Sequence, residues 1–133
     1  MAAVSGVYPN RNPQNIASLT RQLEPNKPVV FFPVNTPWDD AVRNNCYVGD
    51  DILGMVQKVL RYFDGHRQYQ LILKAHPNEQ NFNNFGDLPH SVANIIKTKY
   101  EKIPSNIIFL DADTPVSAFD VYGLADLGIV HST

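Results

Sequence analysis

The chain has 133 residues, enough for one domain with a real core and too few for two lobes. Its 44% hydrophobic and 18% charged residues make a globular mixture rather than a disordered one. A net charge of -2 supplies no phosphate-neutralising surface, which argues against nucleic acid as a polymer partner. No apolar run approaches the roughly 20 residues that cross a bilayer, so no transmembrane segment is expected. The start carries neither a basic segment nor a long apolar one, so no signal peptide is expected. The single cysteine, Cys46, rules out an internal disulfide and fits a reducing compartment. No Cys-His signature accompanies it, and it reads as a loop thiol.

Residues 1–26 read as a lead-in or linker. Pro9, Asn10, Asn12 and Pro13 are irregular, and a short helix from Asn15 to Leu23 ends before Pro25. Residues 27–133 then alternate strand and helix. Pro28 to Val34, with Val29, Val30, Phe31 and Phe32, is the apolar run of a doubly covered strand. A polar loop follows from Asn35 through Trp38, Asp39 and Asp40. Asp50 or Asp51 can cap a helix in which Ile52, Leu53, Val56, Val59, Leu60 and Phe63 keep helical spacing, and Gly65 ends it. Gln70 to Ala75 is the second strand, closed by His76 and the helix-refusing Pro77. Asn78 to Asp87 reads as a long surface loop. Ser91 to Tyr100 is a helix with Val92, Ile95 and Ile96 inward, and Ile107 to Leu110 is the third strand. Asp111 and Asp113 lie in the next loop and are expected to cap the following helix, with Pro115 in its first turn. That helix carries Phe119, Val121, Tyr122 and Leu124. Asp126 to Thr133 reads as a fourth strand running into a functional loop.

Strands alternating with single helices imply right-handed crossovers and an α/β domain with a parallel, doubly wound, Rossmann-like sheet. In strand order 3-2-1-4, strands one and four meet at the switch point and strand two flanks strand one. The loops after those three strands carry Asn35 to Asp39, His76-Pro77 and Ser132-Thr133. Three polar loops distant in sequence are thereby expected at one carboxyl edge.

The chemistry there suits a nucleotide-linked ligand. An imidazole can donate a hydrogen bond to a phosphate or sugar oxygen, or carry positive charge near one. The Ser132-Thr133 pair offers hydroxyls and backbone amides, a phosphate-binding arrangement. Trp38 can stack on a base or sugar or cover the core beside Pro37, and Asn35 and Asp39 can bind hydroxyls. Lys74 can pair with a phosphate or snorkel from the sheet edge. His76, His131, Asp111 and Asp113 match no zinc spacing, and no metal site is expected. The absence of Gly-x-Gly-x-x-Gly and Walker patterns argues against dinucleotide oxidoreductases and nucleoside-triphosphate hydrolases. His66 and His90 read as a surface residue and a helix-entry residue, and His131 as a half-buried strand residue.

Three segments carry a resemblance: Val29 to Asp39, Leu71 to Pro77 and Ala125 to Thr133. Together they resemble the donor-binding, carboxyl-terminal domain of bacterial capsule polysaccharide biosynthesis glycosyltransferases. The His-Pro and Ser-Thr pairs are similar to the signature of capsule sialic-acid and Kdo transferases and, loosely, of the glycerophosphotransferases of teichoic acid synthesis. The resemblance implies one lobe of a two-lobed GT-B architecture, truncated at its C-terminal end and lacking the acceptor lobe. It gives His76 a catalytic role at the donor phosphate, with substrate contacts from Asn35, Trp38, Asp39, Lys74, Pro77, Ser132 and Thr133. It implies a cytidine or uridine nucleotide-sugar donor and a saccharide acceptor, with no cofactor. It further implies a cytoplasmic location, at or near the inner face of the membrane. The chain alone is expected to lack transfer activity and to self-associate through Leu127, Ile129 and Val130. A non-catalytic nucleotide-binding or regulatory module and a two-lobed sugar-nucleotide epimerase remain alternatives.

Overall fold

A computed structural model describes residues 11–34, 52–77 and 91–130 of the chain. In chain order these form α1 (Pro13–Gln22), β1 (Val29–Pro33), α2 (Ile52–Asp64), β2 (Gln70–Lys74), α3 (Val92–Lys99), β3 (Ile107–Leu110), α4 (Ala118–Tyr122) and β4 (Leu127–Gly128). All four strands are parallel, in the order β3-β2-β1-β4. This is the strand order expected from the alternation of apolar runs and amphipathic helices.

Local signals explain most of the boundaries. The Asn12 side chain accepts from the amides of Gln14 and Asn15 at 2.9 and 3.2 Å, and Pro13 opens α1. Asparagine at the cap and proline in the first turn start a helix as readily as they mark a turn, so α1 begins two residues before the expected Asn15. Ser91 caps α3 by accepting from the Asn94 amide at 3.0 Å. At α4 the expectation fails. Ser117, two residues after Pro115, is the cap, and it forms a capping box with Asp120. Asp111 instead takes the Ala112 amide at 2.7 Å, and its carbonyl accepts from Thr114 N at 3.1 Å, which makes a turn.

Each face of the sheet buries its own core, so the sheet is doubly covered. Alternation along β1 and β2 sends Phe32, Val34, Leu71 and Leu73 to one face, where Val56, Leu60 and Phe63 of α2 and Val92, Ile95 and Ile96 of α3 meet them. Phe31, Ile72 and Leu110 point the other way, against Leu19 of α1 and Val121 of α4. The short helix expected within a lead-in is thus one of the sheet's covering helices, with Leu19 only 1% exposed.

Buried polar side chains tie the segments together. The Gln70 amide donates to the carbonyls of Glu24 and Lys27 at 2.9 and 3.0 Å, and its oxygen accepts from Glu24 N at 2.7 Å. Asn106 donates to the carbonyls of Phe63 and Tyr69 at 2.9 and 3.1 Å. The Asp120 carboxylate, 1% exposed, takes the Asn12 amide at 2.6 Å, the Ser117 amide at 3.0 Å and the Asn15 side chain at 3.2 Å. It therefore joins the starts of α1 and α4.

Burial alone would raise the Asp120 pKa, but the hydrogen bonds from Asn12, Ser117 and Asn15 outweigh it and hold the carboxyl below its usual value. A carboxylate with a depressed folded pKa contributes stability that is fully present above the unfolded value of about 3.9 and is lost as pH falls through the folded value. Urea midpoints measured downward from pH 6 should fall through this window in the native protein. In Asp120→Asn, which keeps the shape but not the charge, that part of the acid slope should disappear. An identical acid slope in the two proteins would contradict the role given to Asp120.

At the open edge, β4 is only two residues long although the sequence suggested a longer strand. It is held against β1 by Asp126 N to Val29 O and Ile129 N to Phe31 O, each 2.8 Å. Asp126 also accepts from the Val29 amide at 2.8 Å, which spends a side chain on pairing that a longer strand would make with backbone. Leu127 and Val130 are 64% and 77% exposed, as expected for the last strand, whereas Ile129 packs against the α2-face core. Among the described residues no helix is long and apolar enough to cross a membrane.

Candidate functional site

The carboxyl edge is built by three neighbouring strands. β1 lies between β2 and β4, with Pro33 opposite Lys74 and Phe31 opposite Gly128. Pairing continues one step past the strands: Val34 N donates to Lys74 O at 2.9 Å and Ala75 N to Leu110 O at 2.8 Å. The chain thus leaves β1 after Val34 and β2 at His76 from anchored backbone. Adjacent strands lie about 4.8 Å apart, so the exits of β2, β1 and β4 span about 10 Å.

Of the residues assigned to the site, Lys74, His76 and Pro77 fall in the described structure. His76 is half-buried and Pro77 exposed, immediately past the fully buried strand Gln70 to Ala75. Pro77 ends the pairing because it has no amide to donate. Asn35, Trp38, Asp39, Ser132 and Thr133 lie outside the described residues, as do His90, His131 and Cys46. The strand ends from which those loops spring are adjacent, as the topology required.

Lys74 departs from the snorkelling alternative. Its residue is 6% exposed, and its amine reaches only the neighbouring Ala75 carbonyl, at 3.5 Å, among the described residues. It shares the face of Ile72, the core side covered by α1 and α4. Burial pushes its pKa down from the ordinary lysine value. The sequence signal for this was a cation directly after the apolar run Leu71 to Leu73 of a doubly covered strand.

His66, read as a surface residue at the exit of α2, is there and also packs against the helix. It is half-buried, with its ring stacked on Tyr62 at 3.9 Å between centroids and its Nδ1 2.7 Å from the Tyr62 carbonyl. Spacing of four residues at the end of α2 brings the two rings together.

A hollow lies at the opposite, amino-terminal end of the sheet. Its volume is about 450 Å³, and its walls include Val30, Val59, Tyr62, Tyr69, Leu127 and Ile129. Size alone would make it the default ligand pocket. Its chemistry does not. The walls are apolar apart from Asp126, whose negative charge repels phosphate, and the hollow sits against the open edge of the sheet. The described carboxyl edge, by contrast, carries the His76 imidazole and, at the end of β2, the Lys74 amine, groups that can donate to phosphate or sugar oxygens. Among the described residues, no three His, Cys, Asp or Glu side chains gather as a metal site would require.

Comparison of the chain with protein-family models, curated proteins and solved structures finds no match.

Proposed function

We propose that this chain supplies the donor-nucleotide-binding part of a glycosyltransferase that builds capsule or other surface polysaccharide. The observation that carries the reading is the strand order. It makes β1 and β4 neighbours at a switch point and puts His76, past the end of β2, on the strand that flanks β1 on the other side. Ligands of open parallel sheets bind at such a crevice outside the carboxyl ends of the strands. The residue chemistry of the three loops adds the preference for a nucleotide-sugar.

In this reading the donor is a cytidine or uridine nucleotide-sugar. Its phosphate lies against His76 and the hydroxyls of Ser132 and Thr133, with Lys74 beneath. Trp38 stacks on base or sugar, and Asn35 and Asp39 hold hydroxyls, while Pro77 fixes the loop that presents the imidazole. Transfer breaks the bond between the anomeric carbon and the phosphate oxygen and forms one to an acceptor hydroxyl, whose proton leaves to a base. The departing phosphate gains charge, and a hydrogen bond from His76 that strengthens as that charge grows lowers the barrier. The setting is cytoplasmic, where nucleotide-sugars are made, with a saccharide acceptor held by a second lobe.

Equilibrium binding with cytidine and uridine monophosphates tests the reading. Saturable binding of one of them is expected. It should weaken about tenfold in His76→Ala, the loss of one charge-assisted hydrogen bond. If neither nucleotide binds the native chain, the reading is wrong.

A further inference from the structure

Lys74 presents a problem that the phosphate contact alone does not resolve. It closes the central strand, opposite Pro33 of β1 and Leu110 of β3, and both neighbours are apolar. An ammonium has three donors to satisfy. Among the described residues the Lys74 amine has one acceptor, the Ala75 carbonyl, and at 3.5 Å that contact is at the limit of a hydrogen bond. A charged amine held there would be poorly paired and nearly dry, the arrangement that most favours loss of the proton.

Among the described residues, the charged groups on the surrounding elements do not relieve it. Past β3, Asp111 is turned to the Ala112 amide. On α4, Asp120 is occupied by Asn12, Asn15 and Ser117. Arg11, before α1, lies by Gly123 and could only repel. On its own strand, two residues on, stands His76, which supplies no negative charge. Neither helix over this face places a carboxylate in an ion pair with Lys74 among the described residues. Burial accordingly lowers the affinity of the amine for a proton.

We propose that ligand binding at this edge is coupled to proton uptake by Lys74, whose buried, poorly paired amine holds its proton less firmly in the empty protein than when an anionic phosphate lies against it. The inference rests on the reading of the edge as a phosphate site. The step balances simply: one proton moves from buffer to the amine, and the new ammonium pairs with the phosphate dianion. A nearby opposite charge raises the amine's pKa from its depressed value, so the uptake occurs at pH values between the free and bound pKa. Below that window Lys74 is charged in both states and affinity is highest. Within it, affinity falls up to tenfold for each pH unit of increase.

Calorimetric titration with cytidine monophosphate, in pairs of buffers of different ionisation enthalpy, reads the protons taken up. The titration is repeated across the alkaline range, and the Lys74 variants separate the lysine's share of the uptake from that of any other group. The native protein should take up a fraction of a proton that passes through a maximum with pH. Lys74→Met should bind more weakly with no uptake, and Lys74→Arg, charged throughout, should bind with no uptake. Binding without uptake by the native protein, or uptake that survives in Lys74→Met, would overturn the inference and leave the nucleotide site standing. Failure of the native protein to bind the nucleotide at all would remove the site and the inference together. A ligand-free check separates the two: the ¹³Cε resonance of Lys74 should titrate below those of the other lysines. A midpoint equal to theirs would overturn the inference whatever binds.

Discussion

Phe32→Ala is expected to lower the stability of the folded chain by about 3–5 kcal/mol, the cost of removing a large aromatic side chain from a packed core. Phe32 is fully buried, on β1 in the middle of the sheet, and it faces the core that α2 and α3 share. Its neighbours in register, Leu73 on β2 and the α2 residues above, are themselves fixed by packing and cannot collapse into the space. A domain has typically about 5–15 kcal/mol of stability in total, so the variant should be partly unfolded near room temperature. Urea unfolding followed by far-ultraviolet circular dichroism measures it. The control is Phe109→Ala on the outer strand β3, where the ring is only half-buried and the loss should be clearly smaller. Equal losses at the two positions would contradict the assignment of β1 as the centre of the core.

His76→Ala should show the opposite profile, a small loss of stability and a large loss of function. His76 lies past the last paired residue of β2 and is half-buried, so its removal should cost on the order of 1 kcal/mol, typical of a substitution outside the core. In the transfer reaction proposed for it, activity should fall by a hundredfold or more, because a donor aimed at developing charge is worth most in the transition state. The loss should appear mainly in kcat, with a smaller rise in KM, since the ground-state donor makes a weaker version of the same contact. Radiolabelled-donor transfer with capsule oligosaccharide acceptors gives the first quantity and urea unfolding the second. A folded variant with undiminished transfer would mean that the imidazole only terminates the strand.

Legibility of the sequence tracked how local each signal was. Val29 to Phe32, Leu71 to Leu73 and Ile107 to Leu110 are continuous apolar runs bounded by polar turns, so the strands could be read directly, and their alternation with amphipathic helices led to the parallel order. Boundaries set by ambiguous residues were harder. Asn12 and Pro13 suit a turn or a helix start equally well, and the choice was made by Asp120, more than one hundred residues away, which accepts the Asn12 amide. Asp111, Asp113 and Ser117 are all plausible caps in a stretch of seven residues, and only the capping box between Ser117 and Asp120 decides among them. Lys74 shows the limit most clearly. Alternation says which face it joins, but its depth depends on α1 and α4 closing over that face, which no local pattern encodes. His66 was within reach of the sequence, since aromatic residues four apart at the end of a helix meet.

The central claim is that a nucleotide binds at the carboxyl edge formed by β2, β1 and β4. Mapping amide and imidazole shifts by NMR during titration with cytidine and uridine monophosphates tests it most directly. The expected result is perturbation at Val34, Ala75 and the His76 ring, growing to saturation together, with the opposite end of the sheet unchanged. Perturbation confined to Tyr62, Phe63 and Tyr69, around the apolar hollow at the amino-terminal end, with His76 unmoved, would contradict it.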